Sequence, residues 1–220
     1  MAYYTDISVK EFVLQLSGKQ PAPGGGGASA LVGALGIALG SMVANLTVGK
    51  AKYAEVEEEL KTLTVRAGKL QTDLLELVEK DAIAFKPLAE AYRMASETEE
   101  ERAEKSRVME SCLKDAALVP LEMMRCCGEA IELLEVYAEK GSTLALSDAA
   151  CGAVLCRAAL QSAWINVKVN TVHMKDRAFA EALNREGMEL LNQYLVIAEA
   201  IYHKIEVDLD GEHGHDGKSS

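Results

Sequence analysis

The chain has 220 residues, of which 49% are hydrophobic, 26% charged and only 5% aromatic, and its net charge is −11. That length suits one domain and buries about 70% of the unfolded surface, enough for a core without metals or disulfides. The acidic balance excludes a general nucleic-acid binder, which needs a basic face, and the apolar content excludes wholesale disorder.

The apolar residues are mostly Ala, Leu, Val and Met, which favours helices over aromatic-rich sheets. Ser8 with Glu11 is a capping-box pattern and Gly18 follows Leu16, so the first helix lies between them. Two prolines and four glycines in Gln20-Pro-Ala-Pro-Gly-Gly-Gly-Gly27 predict a loop. The loop opens into Ala28–Gly49, a run without a charge. A stretch of about 20 apolar residues can span a bilayer. Here Asn45 and Thr47 interrupt it and no aromatic residue anchors its ends, so a helix buried inside a helical protein is the preferred reading. Gly33, Gly36, Gly40, Ser41 and Ala44 let neighbouring backbones come close.

From Tyr53 to about Met94 the pattern is one long helix. Val56, Leu60, Leu63, Ala67, Leu70, Leu74 and Leu77 alternate spacings of four and three, a heptad seam. The next seam position is Asp81, before Ala84 and Leu88. A carboxylate on a buried stripe is costly unless it is paired or partly solvated in a cleft. It is either a general acid/base with a pKa raised by burial or a structural group bonded to a neighbouring helix. Pro87 predicts a kink one turn on.

Thr98 and Glu101 form another capping box, and Pro120 predicts a break in the helix that runs towards Gly141. Ser147-Asp148 predicts the cap of an apolar helix reaching about His173, and Asp176 the cap of a last one. On that last helix Phe179, Leu183, Leu190, Tyr194, Ile197 and Ile201 share a face. No strand alternation competes anywhere. The expected fold is all-α, an antiparallel bundle of about seven long helices. One domain covers residues 1–207 and a polar tail covers 208–220.

Five cysteines (Cys112, Cys126, Cys127, Cys151 and Cys156) are an odd number with no C-x-x-C, which reads as buried thiols in a reducing cytoplasm. The start, MAYYTDISVKEF, lacks the basic and apolar regions of a signal peptide. Gly24–Gly27 before a helix N-terminus is either an anion or carbonyl site or a plain connector. Asn166 and Asn170, four apart, either line a polar pocket or bridge helices. His213 and His215 sit in a polar tail where nothing fixes a metal geometry, so no metal site is expected.

Several segments together are more specific. Pro21-Ala-Pro-Gly-Gly-Gly-Gly27, Ala30-Leu-Val-Gly-Ala-Leu-Gly36 and Met42-Val-Ala-Asn-Leu-Thr-Val-Gly-Lys50 with Tyr53 resemble the cyclodeaminase/cyclohydrolase family. So do Asp81-Ala-Ile-Ala-Phe85, Ser147-Asp148 with Gly152-Ala153, and Asn166-Val-Lys-Val-Asn170, in the expected order. That family contains formimidoyltetrahydrofolate cyclodeaminase, methenyltetrahydrofolate cyclohydrolase and the C-terminal domain of the animal formiminotransferase-cyclodeaminase. The resemblance spans about residues 5 to 205. It implies a homodimeric helical bundle with a folate cleft near the dimer contact, and a cytoplasmic one-carbon enzyme. A reduced folate is then the substrate and no separate cofactor is expected.

Of the family's reactions, cyclodeamination is placed first and cyclohydrolysis second; a non-catalytic dimeric folate-binding module is the third reading. The resemblance implies Asp81 as the catalytic group. It implies substrate contacts at Pro23, Gly24, Gly25, Gly26, Gly27, Asn45, Lys50, Asp148, Asn166 and Asn170. Lys50, Arg157 or Lys168 would meet the anionic glutamate tail, whose polyglutamate length is left open. Gly27 stands where the family carries Ser, with Ser29 two residues on, so backbone rather than hydroxyl contacts are expected there.

Overall fold

A computed structural model describes residues 3–213, with side chains to residue 210. Six α-helices carry the fold among the described residues: α1 (Val9–Leu16), α2 (Gly25–Asn45), α3 (Glu57–Tyr92), α4 (Glu99–Lys140), α5 (Leu146–Thr171) and α6 (Arg177–His213). Short 3-10 turns, Ala51–Val56 and Thr143–Ala145, lead into α3 and α5. The all-α bundle is as expected, with six helices rather than seven.

The count falls by one because Pro120 does not divide its helix. Pro120 lies buried inside the 42-residue α4, and Pro87 lies inside the 36-residue α3. A helical proline loses one hydrogen bond and crowds the preceding turn. In α4 that penalty is outweighed because the helix packs against α2, α3, α5 and α6 and is buried over most of its second half.

Caps follow local chemistry where it is strong. The Ser8 hydroxyl accepts the Glu11 N–H at 3.1 Å, and Thr98 with Glu101 forms a complete capping box. The Asp176 carboxylate accepts the Phe179 N–H at 3.1 Å. Ser147-Asp148 does not cap α5: the 3-10 turn runs straight in, and the cap residue is Ala145, without a side-chain bond. At the other end α6 continues through residues expected in the tail, to His213; His215 lies outside the described residues.

Consecutive helices from α2 to α6 run antiparallel, as do α2 and α5, whereas α4 runs parallel to α2 and α6. Along α2 and α5, Gly25 faces Asn166, Gly33 faces Ala159 and Gly36 faces Gly152. Along α2 and α3, Gly27 faces Val78, and the Gln71 amide donates to the Ser41 hydroxyl at 2.6 Å. Leu60, Ala67, Leu70, Leu74 and Leu77 of the seam are buried, with Val56 and Leu63 at its edge. Of the cysteines, Cys126, Cys127 and Cys156 are buried, Cys112 is half-buried and Cys151 is exposed, so burial holds for three of the five. Burial pushes the Cys126 and Cys156 thiols up to about 12, which keeps them protonated and inert.

Candidate functional site

The N-terminus of α2 meets the middle of α3 at one point. Gly27 donates its backbone N–H to Oδ2 of Asp81 at 3.0 Å. A Cβ on Gly26 would lie 2.1 Å from Oδ1 of Asp81, so only glycine lets the carboxylate come this close. The seam anomaly is thus resolved: the seam slips onto a helix terminus, where N–H groups without intrahelical partners and the helix dipole favour an anion. Burial raises the Asp81 pKa above its ordinary range, and the Gly27 N–H opposes the rise without cancelling it. A carboxylate whose pKa is raised by burial at a cavity mouth is suited to moving protons.

The cavity has a volume of about 180 Å³ and is lined by Gly24, Gly25, Gly26, Asp81, Asn166 and Asn170, together with Pro21, Ala22, Phe85, Ala116 and Val169. Asn170 spends its amide N–H groups on the carbonyls of Ala116 and Asn166, at 3.0 and 2.9 Å. The Asn166 amide donates to the Ser162 carbonyl at 2.9 Å. Both side-chain oxygens are left as acceptors for a ligand with N–H groups. Both asparagines therefore bridge structure and line the pocket at once. Phe85, one turn beyond Asp81 on α3, adds an aromatic wall.

The cavity gathers six of the eleven expected site residues. Pro23 and Gly27 lie buried just behind it, Gly27 held by its bond to Asp81. Ser29 is turned away, its hydroxyl donating to the Gly25 carbonyl at 2.6 Å. Asn45, Lys50 and Asp148 do not join the cavity of the same chain. They lie at or just past the far ends of α2 and α5, since 21 helical residues at about 1.5 Å each separate Asn45 from Gly25 by roughly 30 Å. The antiparallel α2–α5 pairing puts the start of α5 at that same far end. There Lys50 donates to the Ser142 hydroxyl at 3.1 Å, and the Thr143 N–H donates to the Tyr53 hydroxyl at 3.2 Å. Arg157 is paired with Glu199, and Lys168 lies over the Trp164 ring, so neither lines the cavity.

Phe85, Ala116 and Val169 were given no role by sequence reasoning. Phe85 and Val169 were accessible to it as helical neighbours, four after Asp81 and three after Asn166. Ala116, on another helix, carries no such signal.

Residues 8–189 match the family model for formiminotransferase-cyclodeaminase. The chain is 40% identical to methenyltetrahydrofolate cyclohydrolase of Methylorubrum extorquens over 90% of its length and 95% of that protein's. It is 29% identical to formimidoyltransferase-cyclodeaminase of Mus musculus over 91% of its own length but only 37% of the longer protein. The crystal structure of formiminotetrahydrofolate cyclodeaminase from Thermotoga maritima superposes with a TM-score of 0.78 at 31% identity, covering 94% of this chain and 98% of that one.

Proposed function

The chain belongs to the formiminotransferase-cyclodeaminase family of one-carbon folate enzymes, and from that premise we propose that it is a methenyltetrahydrofolate cyclohydrolase. The observation that carries the reading is the half-buried Asp81 carboxylate, fixed by the Gly27 N–H at the mouth of a polar-lined cavity. The cyclohydrolase name is favoured over the order the sequence suggested because the 40% identical relative is matched over 95% of its length. Cyclodeamination is the second reading, supported by the Thermotoga maritima structure.

In the hydrolysis the substrate's methenyl carbon bridges two nitrogens that share a positive charge. Asp81 takes a proton from water as the oxygen bonds to that carbon, giving a neutral tetrahedral centre. It returns the proton to one nitrogen as that C–N bond breaks, and the hydroxyl proton passes to solvent, leaving a formyl group on the other nitrogen. The carboxylate also faces the cationic ground state, and the pocket oxygens of Asn166 and Asn170 accept from the ring N–H groups. In the deamination the same carbon is reached by attack of one folate nitrogen on the formimidoyl group, and the proton goes to the departing ammonia. Both routes need one proton carrier at one carbon.

The test is direct. Purified chain is given 5,10-methenyltetrahydrofolate, followed by its loss of absorbance, and separately 5-formimidoyltetrahydrofolate, followed by ammonia. Hydrolysis is expected; ammonia release alone would install the second reading, and neither activity would overturn both.

The reading extends to the assembly. Helix α2 and the Thr143–Thr171 segment are long and apolar enough to cross a membrane, yet only 56% and 44% of their most apolar windows are buried within the chain. Leu35 and Met42 on α2 and Leu46 just after it, with Val154, Ile165 and Val169 on α5, are exposed, and Val169 also lines the cavity. A second copy, not a bilayer, is the proposed cover. A two-fold contact uses the same patch on both copies. Setting the two α2 helices antiparallel would then bring the second copy's Asn45, Lys50 and Asp148 to this cavity. This would reunite the divided site. Leu35→Glu with Ile165→Glu is expected to shift sedimentation from dimer to monomer and to lower turnover with it. A dimer that survives both changes would reject this contact. We place the protein in the cytoplasm, where free thiols stay reduced, with a reduced folate as its small-molecule partner, no separate cofactor and no nucleic acid.

A further inference from the structure

The hydrolysis leaves one proton without a carrier in the chain that holds Asp81. Among the described residues, Asp81 is the one titratable side chain lining its cavity. It moves the proton of the attacking water. The hydroxyl proton of the tetrahedral centre must leave as well before a formyl group can form.

The opposite end of the bundle carries a second group suited to this. Tyr53, half-buried in the 3-10 turn Ala51–Val56, accepts the Thr143 N–H on its hydroxyl oxygen at 3.2 Å. Beside it the Lys50 ammonium donates to the Ser142 hydroxyl at 3.1 Å, and Lys52 lies 5.3 Å from the Tyr53 ring. The Thr143 N–H, helped by the Thr143 and Ser142 side chains and by Lys52, lowers the phenol to about 8 from its ordinary 10. Nearby charges are largely engaged elsewhere: Glu57 pairs with Lys61, and Glu59 with Lys140 at the end of α4. Asp148, in the first turn of α5, is the carboxylate on the facing helix, and Glu55 is exposed on Tyr53's own turn. Donors at a phenol oxygen favour its ionised form, so this group can act as a base near neutral pH.

Symmetry brings the two ends together. The uncovered stripe of α2 and its cap is Ala28, Val32, Leu35, Leu39, Met42 and Leu46, in alternating steps of four and three, the spacing of a helix–helix seam. Leu35, 53% exposed, is the middle residue of the 21 in α2. A two-fold axis at Leu35 sets the second copy's α2 antiparallel, with its Asn45 end against this copy's Gly25 end. Tyr53 is tied to the same α4–α5 turn as Lys50, through Thr143 and Ser142, so it arrives at the Asp81 cavity with Lys50.

We infer that the second copy's Tyr53 is a catalytic residue of the hydrolysis, taking the hydroxyl proton of the tetrahedral centre at Asp81 and passing it to water. This rests on the cyclohydrolase reading and on the two-fold contact above. As the C–N bond breaks, its electron pair goes to the nitrogen that Asp81 protonates. The O–H electron pair becomes the second C–O bond, and the proton moves to the Tyr53 oxygen. Cyclodeamination forms no hydroxyl, so the role belongs to hydrolysis alone.

Two measurements test it. Tyr53→Phe is expected to lower kcat for methenyltetrahydrofolate hydrolysis by about 100-fold. The wild-type kcat/KM should rise with pH through an inflection near 8 that the variant lacks. Hybrid dimers then show which copy supplies the residue: two differently tagged chains are co-expressed and the mixed dimer is isolated on both tags. Asp81→Asn on one copy with Tyr53→Phe on the other should keep about half the wild-type rate, since one of the two sites is intact. Both changes on one copy, beside an unchanged copy, should leave both sites slow. The reverse pattern, a chain that sediments as a monomer, or Tyr53→Phe with the wild-type rate and pH profile would overturn the proposal and leave the hydrolase reading standing. A wild-type chain that hydrolyses no methenyltetrahydrofolate would overturn that reading and this role together.

Discussion

Replacing Asp81 with Asn is expected to slow turnover by about 100-fold or more without unfolding the protein. The amide oxygen of Asn still accepts the Gly27 N–H that Asp81 now accepts at 3.0 Å, so the α2–α3 contact survives. What is lost is the group that carries the proton. The wild-type rate should fall as pH drops and Asp81 is protonated, at a pH above its ordinary value of 3.8 because burial raises it. The variant should lack that acid limb. Near-normal turnover in Asp81→Asn, measured at saturating substrate, would remove Asp81 from the mechanism.

The same change should act in the opposite direction on stability. The folded-state pKa of Asp81 is raised, so the folded chain holds this proton more tightly than the unfolded chain does. Stability therefore declines as pH rises from the unfolded value through the folded one, and above that window the full cost of the buried charge is present. Asp81→Asn removes the charge. Its melting temperature should equal or exceed that of the wild type at pH 7, with the difference vanishing below the unfolded carboxylate range. A marked loss of stability at pH 7 would instead mark Asp81 as a structural link between helices.

The second large effect is expected in the centre of the bundle. A Cβ at Gly152 would lie 2.7 Å from the backbone oxygen of Gly36 and 2.7 Å from a methyl of Leu134. The leucine can turn; the carbonyl cannot move without shifting α2. Gly152→Val should therefore cost about 3 kcal/mol, at the upper end of overpacking penalties. For a domain of this size that is a fall of roughly 6–12 °C in melting temperature. Gly68 on α3 is the internal control, exposed and with nothing within 4 Å of an added Cβ. Gly68→Ala should stabilise by about 0.5–1 kcal/mol, by restricting the unfolded chain and favouring the helix. Thermal melts of the two variants should move in opposite directions, and a neutral Gly152→Val would mean that α2 and α5 are not held at this spacing.

Local chemistry was legible in the sequence and longer-range placement was not. The caps at Ser8, Thr98 and Asp176 were readable because each is decided by a side chain and an N–H three residues away. Pro120 departs from its sequence expectation for the converse reason: its penalty is local, but its burial among four other helices is not. The capping reading at Ser147-Asp148 failed because the preceding 3-10 turn had already set the entry into α5. The two asparagines both line the pocket and bridge helices, which spacing along one helix cannot reveal.

By itself the sequence determined the helices, the seam on α3 and the one carboxylate that interrupts it, because a heptad period is a property of consecutive residues. Tertiary structure alone decided what that carboxylate meets. Gly36 and Gly152 let α2 and α5 pack closely and antiparallel, which sets Gly25 beside Asn166 and sends Asn45, Lys50 and Asp148 to the opposite end. Residues that share a motif along the chain are thereby parted by the length of a helix, and Asp81 is joined to a glycine at the start of α2, 54 positions away. Which end of a helix a residue occupies follows from sequence. Which other helix ends lie beside it follows only from packing, since that choice is made by surfaces meeting across the core.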